Sequence, residues 1–80
     1  MANGKDRLPP QNIDAEKSVL GSILIDKDSI EKVVDILKPD DFYSRQHHLI
    51  YGAMVNLLEK SEPIDILTVT QRLKKSGDLE

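Results

Sequence analysis

Residues 40–51, DDFYSRQHHLIY, gather the side chains of this 80-residue chain that could do chemistry. All three aromatic residues and both histidines lie in this stretch, with Asp40 and Asp41 in front and Arg45 between. Adjacent carboxylates are the residue types of general acid/base catalysis, and His47, His48 and Asp41 are those of a metal-dependent hydrolase or deaminase. Helical geometry tests both readings. Adjacent residues on a helix project about 100° apart, whereas a metal held on one helix face takes ligands at i and i+4. His47 and His48 therefore cannot both grip one ion from a regular helix. His47 falls within roughly 60° of the stripe formed by Ile50, Met54 and Leu57, and His48 points to the solvent side. The favoured reading makes His47 an interior residue satisfied by Asp40, Asp41 or the helix's first turn, with metal binding, base catalysis and pH sensing as the lesser readings.

The elements around this stretch read as helices. Val19, Leu20, Ile23 and Leu24 recur at helical spacing, which predicts a helix over about 14–25, with Asp14 able to cap it and Glu16 placing negative charge in its first turn. Gly21 and Ser22 suggest a close approach by a neighbouring backbone. Ile30, Val33, Val34 and Leu37 predict a second helix over about 28–37, capped by Asp26 or Asp28 and ended by Pro39. Asp40 and Asp41 then read as turn caps. Phe42 and Tyr43 read as a hydrophobic staple ahead of an N-cap at Ser44. A third and longest helix is expected over about 45–60, with the stripe Ile50, Ala53, Met54, Leu57 and Leu58. After the break at KSEPID, Asp65 as N-cap, the stripe Ile66, Val69, Thr70 and Leu73, and Gly77 as the residue past the end predict a fourth helix, although the β-branched residues there alternate enough to mimic a strand. The fold class is all-α: a compact bundle of about four to five short helices with no sheet.

Composition narrows the function. The chain contains 39% hydrophobic and 31% charged residues, as an ordinary globular protein does, and no cysteine for disulfides or thiolate metal sites. A formal net charge of −3 argues against a self-sufficient nucleic-acid binder, because phosphate affinity comes from clustered Lys and Arg. The basic cluster Arg72, Lys74 and Lys75 sits where cations favour the end of a helix dipole. The glycines are scattered, no phosphate-cradling loop is present, and there is neither a signal-peptide pattern nor a run long enough to span a bilayer. Residues 1–9 read as a flexible leader and 10–80 as one helical domain.

Three separated blocks carry a family likeness. LPPQNIDAEKSVLGSILID, DDFYSRQHHLIYGAM and PIDILTVTQRLKKSGDLE, in this order and spacing, resemble the N-terminal domain of bacterial replicative DNA helicases of the DnaB type, from about Leu8 to Glu80. The resemblance implies an all-α domain of a hexameric, cytoplasmic helicase whose ATP- and Mg-dependent motor lies in another domain, so that this segment is not itself an enzyme and holds no cofactor. It implies as partners the other helicase subunits, primase and a helicase loader, with DNA met only through the full-length protein and no membrane. The family's further helix and helical hairpin would follow Glu80, so the domain is expected to be cut short. The helicase-binding domain of bacterial primase, which has a similar helical fold, is the alternative, and a small metal-dependent enzyme centred on His47 is a more distant one. On the favoured reading Leu20, Ile23, Val34, Phe42, His47, Ile50, Met54 and Leu73 form core, and Tyr51, Val55, Arg72 and Lys75, off the core stripes, are the candidate partner contacts.

Overall fold

A computed structural model describes residues 12–26 and 28–77; the expected leader at 1–9 lies outside them. Four α-helices run through the described residues, α1 (Ile13–Ile25), α2 (Ser29–Val33), α3 (Arg45–Glu59) and α4 (Ile66–Lys75), with a 3₁₀ turn at Pro39–Asp41 and no strand. The fold is the expected helical one. Its hub is α3, which packs against α1, the Pro39–Asp41 turn and α4, while α2 rests on α1.

Local chemistry sets the helix ends. Ser44 caps α3 by accepting from the His47 N–H at 3.3 Å, and Asp65 caps α4 by accepting from the Thr68 N–H at 2.8 Å. Thr68 Oγ1 returns the bond by accepting from the Asp65 N–H, completing a reciprocal cap. The α1 cap is Asn12, whose Oδ1 accepts from the Ala15 N–H, rather than the expected Asp14. The other end of α3 closes as a Schellman turn, in which Glu62 N–H bonds back to Leu57 O and Ser61 N–H to Leu58 O. Ser61 holds the left-handed position at φ 57°, where glycine is usual, while the corresponding place after α4 is taken by Gly77 at φ 83°.

The second helix is shorter than its periodicity suggests. Regular α-helix stops at Val33, and the chain continues to Ile36 as turns, with Ile36 N–H bonded to Val33 O three residues back. The bonding there is mixed, since Leu37 N–H still reaches Val33 O four residues back at 2.8 Å, and Pro39 then holds Lys38 extended and ends the segment. Val34, at the C-cap of α2 where the regular helix ends, is half-buried and not a core residue, and the core contribution of α2 comes from Ile30.

The buried apolar set takes Leu20 and Ile23 from α1, Phe42, then Tyr51, Ala53, Met54 and Leu57 from α3, Ile64, and Val69 and Leu73 from α4. Ile50 is half-buried at the edge of this cluster. Ile66, placed in the α4 stripe by its spacing, is instead 71% exposed beside Leu67 at 65%. No backbone crowds Gly21: a Cβ there would meet nothing within 4 Å, which removes the expected close approach.

Removing the cap and relieving the left-handed serine should act in opposite directions. Asp65→Ala should lower stability by about 1 kcal/mol and Ser61→Gly should raise it by up to about 1 kcal/mol, both read by chemical denaturation.

Candidate functional site

The buried polar centre of the molecule is a carboxylate that α1 sends to the start of α3. Glu16 is wholly buried on the same helix face as Leu20 and Ile23. One oxygen, Oε2, accepts from the Tyr43 N–H at 2.6 Å. The other, Oε1, accepts from the Ser44 N–H at 3.3 Å and from His47 Nδ1 at 2.8 Å. Since an ionised carboxylate only accepts, His47 Nδ1 carries the proton of that bond. The carboxylate thus satisfies two backbone donors just ahead of α3 together with the ring of a first-turn side chain, where the helix dipole also favours negative charge.

Burial on its own would raise the Glu16 pKa. Its hydrogen bonds from His47, Tyr43 and Ser44, together with the attraction of His47, outweigh that cost and hold the group below its ordinary value of 4.5.

The partner of His47 is therefore Glu16, and neither Asp40 nor Asp41 as the local sequence suggested. Asp41 Oδ2 instead accepts from the Lys38 N–H at 2.8 Å, and Asp40 is an exposed side chain 3.6 Å from His48 Nδ1. His48 is also less free than expected. The 3₁₀ turn brings the Pro39 carbonyl over α3, and Nδ1 donates to it at 2.9 Å. Of the expected staple only Phe42 is buried; Tyr43 gives its backbone N–H to Glu16 and leaves its ring outside.

Tyr51, expected off the core stripes as a partner contact, is wholly buried and belongs to the core. Its hydroxyl donates to Leu37 O at 2.9 Å, and its ring lies 4.9 Å from that of Phe42 at an interplanar angle of 35°. Burial, and then the Asp41 carboxylate, push its phenol above 10.0. Among the other candidate contacts, Val55 is half-buried against the core, Arg72 is half-buried with its guanidinium 3.8 Å from Glu62, and Lys75 is exposed. No group of three or more His, Cys, Asp or Glu able to hold a metal ion occurs among the described residues.

A signal for Glu16 did exist in the sequence. It stands four residues before Leu20 and seven before Ile23, so a carboxylate interrupts the apolar stripe of α1 just as His47 interrupts that of α3. One acid and one imidazole, each alone on a buried face, satisfy one another.

Together the fold and this centre define a small all-helical domain organised around one buried carboxylate. The chain matches the family model described as DnaB-like helicase N terminal domain over residues 8–80, and it belongs to that family. It is 47% identical over 75 residues to the replicative DNA helicase DnaC of Bacillus subtilis, an alignment covering 94% of this chain and 16% of that protein. It is 42% identical over 74 residues to the replicative DNA helicase DnaB of Rhodothermus marinus, covering 92% of this chain and 8% of that protein. The crystal structure of the N-terminal domain of DnaB helicase from Mycobacterium tuberculosis superposes with a TM-score of 0.81 at 43% identity, covering 88% of this chain and 49% of that one. The chain therefore spans a small part of its full-length relatives, and the part it matches is their N-terminal domain rather than a motor. No helix among the described residues is long and apolar enough to cross a membrane.

The carboxylate makes stability depend on acid. Because the folded pKa of Glu16 is depressed, its contribution is complete above the unfolded value of 4.5 and is lost as pH falls through the folded value. Melting temperature should accordingly fall below about pH 4.5, and Glu16→Gln, melting lower at neutral pH, should show a shallower fall; parallel profiles would contradict the assignment.

Proposed function

We propose that this chain acts as the N-terminal protein-interaction domain of a replicative DNA helicase, supporting hexamer assembly and the docking of primase at the replication fork. The observation that supports it is membership of the DnaB-like helicase N-terminal domain family over residues 8–80, joined to relatives that are replicative helicases. On this reading the ATP- and Mg-dependent motor belongs to the rest of the parent protein. The segment itself makes and breaks no bond, takes no cofactor, and meets DNA only through that parent. A helicase loader is a further partner, and the compartment is the bacterial cytoplasm.

The surface suits such work. Ile66 and Leu67 expose apolar area side by side at the start of α4, and Lys75 stands exposed at its other end, with Arg72 one turn away. Val55 and Arg72 are half-buried, so they would contribute the edges of a contact.

Mixing the chain with the C-terminal domain of the cognate primase, and following complex formation by calorimetry, tests the reading. Binding is expected, with Lys75→Glu weakening it about tenfold or more. Absence of binding both by this chain and by a longer one carrying the rest of the N-terminal domain would overturn the primase assignment.

A further inference from the structure

We draw no further inference here: the strongest candidate, the exposed apolar patch of Ile66 and Leu67 on the first turn of α4, carries nothing because nothing in the structure shows what covers it.

Discussion

Glu16 is the constraint on which the arrangement of the helices depends. Its carboxylate leaves α1, crosses the core boundary and takes hydrogen bonds from Tyr43 N–H, Ser44 N–H and His47, all at the start of α3. Because α3 in turn carries the 3₁₀ turn and α4, fixing its first turn fixes where the remaining elements pack. A buried acid–imidazole pair gives weak net stabilisation when both members can be exchanged for apolar groups. Here that exchange is closed off, since two backbone N–H groups would remain behind without an acceptor. An 80-residue domain has about 4–12 kcal/mol of stability in total, and stranding a buried partner costs about 3–5 kcal/mol. Loss of this one carboxylate is therefore comparable to much of what holds the domain together.

The same organisation explains why the stretch with the look of an active site is structural. Asp41 caps Lys38, Ser44 caps α3, Phe42 and Tyr51 pack ring on ring, and His48 ties the 3₁₀ turn to the helix. Asp41, Ser44 and the two histidines are spent on holding the turn and the start of α3, and Asp40 lies exposed beside His48. What the domain leaves exposed lies elsewhere, on the first turn of α4, where Ile66 and Leu67 stand open.

Much of this was legible in the sequence, because the determinants were local. The capping serine at 44, the aspartate at 65 and the glycine at 77 each act within a few residues, and the stripes of α1 and α3 show directly in the spacing of their apolar residues. The three blocks of family likeness were equally plain. What the sequence concealed was long-range. Glu16 and His47 stand 31 residues apart, so the nearer Asp40 and Asp41 looked like the natural partners. Tyr51 looked like an edge residue because its spacing does not reveal that Leu37 O waits for its hydroxyl. Val34 and Ile66 followed correct helical periods, yet each stands at a helix end, Val34 as the C-cap of α2 and Ile66 as the first residue of α4, where the periodic face is no longer covered.

A double-mutant cycle of Glu16→Ala and His47→Ala, measured by equilibrium denaturation at neutral pH, tests the role of the clamp most directly. Glu16→Ala should be the more damaging single change, because it strands the backbone donors as well as the imidazole, whereas His47→Ala leaves the carboxylate with two of its donors. The double variant should be little worse than Glu16→Ala, giving a coupling energy clearly beyond the roughly 0.3–0.5 kcal/mol within which independent sites add. Additive losses, or a Glu16→Ala protein no less stable than His47→Ala, would contradict the account.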